Sequence, residues 1–180
     1  KLLAFEENMG MWEAQNYMVT QAKGAFYVPI SADDTIEPNY LEKVLGEFAK
    51  DPWLEMVASQ TDFMDENKVP ITDPFNQMLR IPKIANMPRE NMLVDLHHGN
   101  RYWGVGTYRT QMIKDVGYWE KQYKVLADYQ MYLKVLQRER VQIIEEPLTH
   151  TRIHGNNASI LWKPEQRKEL PWLYHAAKKP

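Results

Sequence analysis

The strongest constraint on this chain is the alternation, from Leu2 to Ser59, of short apolar runs with stretches of helical period. Leu2 to Phe5 is short and apolar, and a strand is expected there; Asn8-Met9-Gly10 follows as a turn. Met11, Ala14, Met18, Val19 and Ala22 fall on one face of a helix. Gly24 stands just past them, where a helix C-terminus favours a left-handed residue. Ala25 to Ile30 is a nearly continuous apolar run, as in a strand covered on both faces, with Pro29 placed at its end because proline cannot donate to a ladder. Pro38 opens a second helix, with apolar face Leu41, Val44, Leu45 and Phe48, which Asp51-Pro52 stops. Leu54 to Ser59 reads as a further strand. Strand, helix, strand, helix, strand is the pattern of βαβ units, so an α/β fold with a mostly parallel sheet flanked by helices is expected.

The rest of the chain is less regular. Asp65 to Arg89 holds Pro70, Pro74, Pro82 and Pro88 and reads as a long irregular excursion, with a short helix near 91–96. Loops of this length inside compact domains are usually functional or mobile. Tyr102 to Tyr108 is apolar and aromatic with Gly104 and Gly106, consistent with a bulged strand or a close approach of backbone to a ligand. Gln111 to Val116 reads as a short helix ended by Gly117. From Asp128 the chain is apolar nearly all round, which predicts a mostly buried helix. Val141 to Ile144 is a strand closed by Glu145-Glu146-Pro147. The organisation expected is one domain over residues 1–162 and a charged C-terminal tail, 163–180, which can be helical and whose Trp172, Leu173 and Tyr174 can dock.

Composition narrows the function classes. There is no cysteine among the 180 residues, so disulfides, thiolate metal sites and cysteine nucleophiles are excluded. The 22 basic residues face 24 acidic ones, for a net charge of −2, without the basic excess of a nucleic-acid binder. No apolar run reaches the roughly 18 residues of a membrane span. The start, Lys1-Leu2-Leu3-Ala4-Phe5-Glu6-Glu7, meets acid too soon for a signal peptide and has no initiator Met, so a piece of a longer protein is expected. A cytoplasmic, at most membrane-peripheral, location is the expectation. No motif sets an oligomeric state.

Several residues could carry chemistry. Asp33 and Asp34 directly follow a buried strand, at the carboxyl edge of the sheet where open α/β folds bind ligands. Adjacent carboxylates repel unless a cation joins them, and a divalent ion that shares itself with substrate phosphates is the natural one; the alternative is a capped turn. Asp128, at the start of the buried helix, is either an N-cap or a partly desolvated general base. In His150-Thr151-Arg152-Ile153-His154, period two sends both His and the Arg to one side, suited to metal or phosphate; the alternative is a polar surface strand. Trp103 beside Gly104 is a candidate sugar-stacking platform, the alternative being core. The other tryptophans read as core, and His97-His98 as loop residues. No phosphate-cradling glycine loop, Ser-His-Asp elbow or HExxH helix is present.

Three stretches in register resemble one family. Asn8-Met9-Gly10, Ala14-Gln15-Asn16, Ala22-Lys23-Gly24, Phe26 to Ile30 and Ser31-Ala32-Asp33-Asp34 with Pro38 are similar to its N-x-G … A-x-N … A-x-G, strand, D-x-D-D … P series. Arg109, Val116-Gly117 and Ala127-Asp128-Tyr129-Gln130-Met131-Tyr132-Leu133 resemble its R … G-G-F … E-D-Y-D-L-W-L-R. Pro147-Leu148 through Arg152-Ile153-His154 resembles its P-L … Y-R-x-H. The family is the family 2 glycosyltransferases of GT-A fold, which implies a Rossmann-like mixed, mostly parallel sheet flanked by helices, and the resemblance covers about Phe5 to Ser159. Ser31 stands where the first acid of D-x-D falls, and Ala127 where the family carries Glu.

The resemblance implies a transferase that moves a sugar from a nucleotide-diphospho sugar to an acceptor hydroxyl, on a glycan or another molecule, by metal-dependent single displacement with inversion. It implies that Asp33, and His154 with it, hold a manganese or magnesium ion on the donor diphosphate, with Asp34 and Arg152 beside them. Asp128 would be the base, and Trp103, Gly104 and Arg109 substrate contacts. The excursion from Asp65 to Asn100 would shape the acceptor side. It also implies that the family's amino-terminal nucleotide-binding strand and loop precede this stretch, so that the piece alone binds nucleotide poorly. The whole reading requires Asp33 and Asp128 to open onto one cleft. A catalytically silent carbohydrate- or partner-binding module on the same scaffold is the second reading, favoured by Ser31 and Ala127. A nucleotidyltransferase is third, lacking a basic glycine loop.

Overall fold

The computed structural model of the chain describes residues 2–72, 105–138 and 140–177. Trp103, Gly104 and the helix expected near 91–96 lie outside the described residues. The described elements are α1 (Met11–Gln21), β1 (Phe26–Tyr27), β2 (Thr35–Ile36), α2 (Tyr40–Lys50), β3 (Met56–Met64), β4 (Pro70–Ile71), β5 (Gly106–Arg109), α3 (Thr110–Asp115), α4 (Ala127–Gln137), β6 (Val141–Arg152), α5 (Ala158–Leu161) and α6 (Lys163–Ala177). No described helix is long and apolar enough to cross a membrane.

The sheet is mixed. Its strand order is β1-β5-β3-β6-β2, with β4 paired to β3. β3 and β6 are parallel, while β5 is antiparallel to both β1 and β3, and β2 is antiparallel to β6. Two antiparallel steps through β5 therefore leave β1 running the same way as β3 and β6. The βαβ pattern read the direction of these three strands, but β5 is inserted between β1 and β3, so most pairings are antiparallel rather than parallel.

Local chemistry explains where elements differ from their sequence signals. The apolar run Leu2 to Phe5 forms no strand, and Leu2 is 91% exposed; without a partner strand an apolar run has no ladder to join. Phe5 instead meets Tyr17 of α1 edge-on. Gly24 is not in the left-handed region; α1 ends on extended Ala22, whose N–H donates to the Val19 carbonyl. Gly117, at φ +83, does take the left-handed cap after α3, and Tyr118 N–H then reaches back to the Ile113 carbonyl. Pro38 precedes α2 rather than opening it, because Glu37 and Tyr40 first close a turn of their own. β3 runs on from Ser59 through the polar Gln60-Thr61-Asp62, since β4 and β6 pair its backbone. β6 likewise continues past Pro147 to Arg152, because the proline falls at a register irregularity where no ladder N–H is required.

Two cores lie on the two faces of the sheet. Met56 and Ala58 of β3 face one, with Val19, Tyr108, Met112, Ile113, Trp119, Met131 and Val135. Val57 faces the other, with Tyr40, Val44 and Phe48 of α2 and Leu148 of β6. The period of two along β3 divides them. Helix α4 is buried on most sides, as its composition predicts. Helix α6 joins the first core through Leu170 and the buried Glu169.

Candidate active site

The parallel pair β3–β6 ends at Met64 and Arg152, and the loop between β1 and β2 folds over that end. Arg152 ties the loop down. Its backbone N–H donates to Asp34 Oδ1 at 3.0 Å and its Nε donates to the Asp33 carbonyl at 2.9 Å. Its Nη1 donates to the carbonyls of Asp65 and Glu66 at 3.2 and 3.0 Å. The guanidinium is therefore a clamp between two loops.

His154 Nε2 lies 2.9 Å from Asp33 Oδ2. Asn156 N–H donates to His154 Nδ1 at 3.1 Å, which assigns the ring proton to Nε2, donating to Asp33. Asn157 holds the segment from below, its Oδ1 accepting His154 N–H at 2.6 Å and its Nδ2 donating to the Arg152 carbonyl at 3.0 Å. Burial raises the Asp34 carboxyl above its ordinary value, and the Asp33 charge adds to this; the Arg152 N–H, the Arg152 charge and, whenever its ring carries a second proton, His154 pull the other way. Four residues singled out in the sequence, Asp33, Asp34, Arg152 and His154, thus meet at one sheet edge. His150 is apart from them, its Nε2 2.8 Å from Glu37 Oε1.

Among the described residues no group of three or more His, Asp or Glu side chains could hold a metal ion by itself. Asp33 and Asp34 each spend one carboxylate oxygen on the protein. The remaining oxygens suit a hard ion that takes one or two carboxylates and completes its shell with water and substrate phosphate. His154 would join as a ligand only on giving up its Nε2 proton.

Asp128 stands in the first turn of α4, two residues after the N-cap residue Leu126; it is not the N-cap, yet its Oδ1 accepts the first-turn N–H of Tyr129 at 2.7 Å. Burial pushes its carboxyl up to about 7; the Tyr129 N–H and its own N–H oppose this, and the Glu169 charge reinforces it. Tyr108 of β5 faces Asp128, and burial drives its hydroxyl pKa well above the ordinary value. Arg109 has a different use. Its Nε and Nη2 donate to the carbonyls of Leu54 and Pro52 at 2.7 and 2.9 Å, and its guanidinium lies over the rings of Phe26 and Phe48. Those two donors are occupied by backbone, which gives Arg109 a structural task.

Two groups of residues were missed in the sequence. Glu169 lies in a charged run that reads as a solvated face, yet it is 4% exposed. Asn156-Asn157 after Gly155 carried a usable signal, since Asn beside Gly marks a turn with side-chain-to-backbone bonds.

No protein-family model matches the chain. It is 21% identical over 173 residues to an uncharacterized glycosyltransferase of Haemophilus influenzae, covering 93% of this chain and 52% of that protein. It is 27% identical over 161 residues to a chondroitin synthase and 27% identical over 153 residues to a hyaluronan synthase, both of Pasteurella multocida, covering 89% and 85% of this chain. The chain spans about half the length of the first relative and only 16% and 15% of the two synthases. Among solved structures, glucosyl-3-phosphoglycerate synthase from Mycobacterium tuberculosis with phosphoglyceric acid aligns at a TM-score of 0.60, with 11% identity over 96% of this chain and 56% of that one. The Pyrobaculum calidifontis mannosyltransferase PcManGT, with GDP-Man and Mn2+, aligns at 0.58, with 13% identity over 98% of this chain and 46% of that one. The mixed sheet flanked by helices is thus a GT-A-like fold, and the sequence relatives of the chain are glycosyltransferases.

Proposed function

We propose that this stretch carries the catalytic edge of a family 2 glycosyltransferase that moves a sugar from a nucleotide-diphospho sugar to an acceptor hydroxyl. The observation that carries the reading is the contact of His154 with Asp33, which joins residues 121 positions apart at the carboxyl end of the parallel strands. The mannosyltransferase of similar fold holds GDP-Man and Mn2+, which supports a nucleotide-sugar donor and a divalent ion here. The chondroitin and hyaluronan synthases among the relatives support a glycan acceptor.

On this reading Asp33 and Asp128 border one cleft. Asp33 and Asp34 would hold the ion, oriented by His154 and the Arg152 clamp. When bound, the ion supplies positive charge against the charge growing on the departing diphosphate. A carboxyl with a pKa of about 7 is matched to general-base work at neutral pH, so Asp128 takes the proton of the acceptor hydroxyl. The acceptor oxygen bonds the anomeric carbon as the bond from that carbon to the diphosphate breaks. One base, with no second, nucleophilic carboxylate assigned to the site among the described residues, fits a single inverting displacement, by the logic established for glycosidases.

Asp33→Asn and Asp128→Asn are each expected to lower manganese-supported transfer at least ~100-fold with the fold intact by circular dichroism. Turnover retained in Asp128→Asn would remove its role as base. Ser31 and the lack of a self-sufficient metal cluster among the described residues favour the second reading, a silent carbohydrate-binding module. Thermal shift separates the two. Stabilisation by manganese and a nucleoside diphosphate only in combination supports the enzyme; stabilisation by free glycan alone supports the module.

A further inference from the structure

The turn that enters α4 is held by a residue from the other end of the chain. Glu169 of α6 accepts Lys124 N–H at 2.6 Å and Leu126 N–H at 2.8 Å, with Val125 N–H shared between its two oxygens at 3.3 and 3.1 Å. Leu126 is the N-cap of α4, two residues before Asp128, and its own side chain supplies no cap hydrogen bond. A carboxylate bonded to three consecutive N–H groups fixes a backbone turn far more firmly than a solvated loop is fixed. At a helix start it also stands where negative charge is favoured.

We propose that Glu169 is a positioning residue for Asp128: from α6 it sets where the first turn of α4 stands and which charge Asp128 faces. The inference rests on the reading of Asp128 as the base. Neither Tyr108 nor Glu120 substitutes for Glu169. Tyr108, from β5, is uncharged at neutral pH because burial holds its hydroxyl high. Glu120, in the loop before α4, is engaged by Lys134 and by Gln130 Nε2, at 3.2 and 2.6 Å. Glu169 is the carboxylate whose charge adds to burial in raising Asp128. Its removal therefore acts on Asp128 in two separable ways, through position and through charge.

The test follows the Asp128 carboxyl carbon by NMR through a pH titration of the full chain, the resonance being assigned by its loss in Asp128→Asn. In Glu169→Gln the midpoint is expected to fall by about half a pH unit or more, and amide exchange at Lys124, Val125 and Leu126 to accelerate at least ~10-fold. In transfer assays kcat is expected to fall while KM for the donor holds, with the acid limb of kcat moving down alongside the midpoint. Glu169→Asp keeps the charge but shortens the reach: its midpoint is expected to stay near the wild-type value while kcat still falls. An unmoved midpoint in Glu169→Gln, or activity falling in either variant only in step with the folded fraction, overturns the proposal. If instead Asp128→Asn transfers sugar normally, the reading of Asp128 as the base fails while sugar transfer stands. The titration midpoints still report, with no reference to turnover, whether Glu169 governs Asp128.

Discussion

At the scale of single residues, the features that suit Asp128 to take a proton also make it a burden on the fold. A carboxyl that titrates at about 7 when folded and near 4 when unfolded binds its proton more tightly in the folded state. Its contribution to stability is therefore full below about pH 4 and is lost as pH rises through 7. Asp128→Asn, neutral at every pH, is expected to match the wild type near pH 4. It should exceed it by about 1–2 kcal/mol at pH 8, once the shift is discounted for the partial exposure of the side chain. Urea unfolding at the two pH values checks this. Gly106 lies close to the same region. A Cβ there would stand 2.5 Å from the Cε of Met56 and 3.2 Å from the Tyr108 ring. Gly106→Ala is expected to cost about 1–2 kcal/mol. Combined with Met56→Ala, which is costly in its own right because Met56 is fully buried, the two losses should be non-additive and sum to more than the loss of the double variant, because the methionine end is the atom that the new Cβ meets. Asp33, Asp34 and Asp128 were legible as candidates because charge beside apolar runs stands out in a sequence. The backbone use of Arg109 and Arg152 was not, since a guanidinium reads alike whether it meets phosphate or carbonyl.

Among the elements, the helices and the core strands were the legible part, because their apolar periods are set by burial. What the periods could not say was pairing. Two-residue strands such as β2 carry almost no periodic signal, and the insertion of β5 between β1 and β3 depends on contacts distant in sequence. One ion-pair cluster fastens these elements. Glu55, 7% exposed at the start of β3, is bonded by Arg138 after α4 and by Arg140 before β6. The Arg138 hydrogen bonds, aided by both positive charges, hold the Glu55 carboxyl below its ordinary value despite its burial. A depressed carboxyl stabilises the fold above its unfolded pKa and loses that contribution as the solution is acidified. Glu55→Gln is therefore expected to destabilise by about 1–2 kcal/mol at pH 7, allowing for the partly exposed arginines, and by much less at pH 3.

For the whole molecule, the charged sequence from Lys163 onward suggests a tail, but the helix it forms is built into the first core. Leu170 packs there, and Glu169 holds the entry to α4. Ending the chain after Trp162 is expected to weaken the main core itself, seen as a lower urea midpoint and faster amide exchange in α4, rather than to trim a surface appendage. The long parallel pairing offers a different lesson. Between Ser59 and Thr61 on β3, the partner strand advances from Ile144 through Pro147 to Thr149, three residues more than β3 spends. The ladder is thus two separately phased zippers with slack at the proline. One extra residue inserted beside Glu145 should be absorbed by that slack, whereas the same insertion after Gln142 would turn the inward-facing side chains of the strand outward and prevent folding.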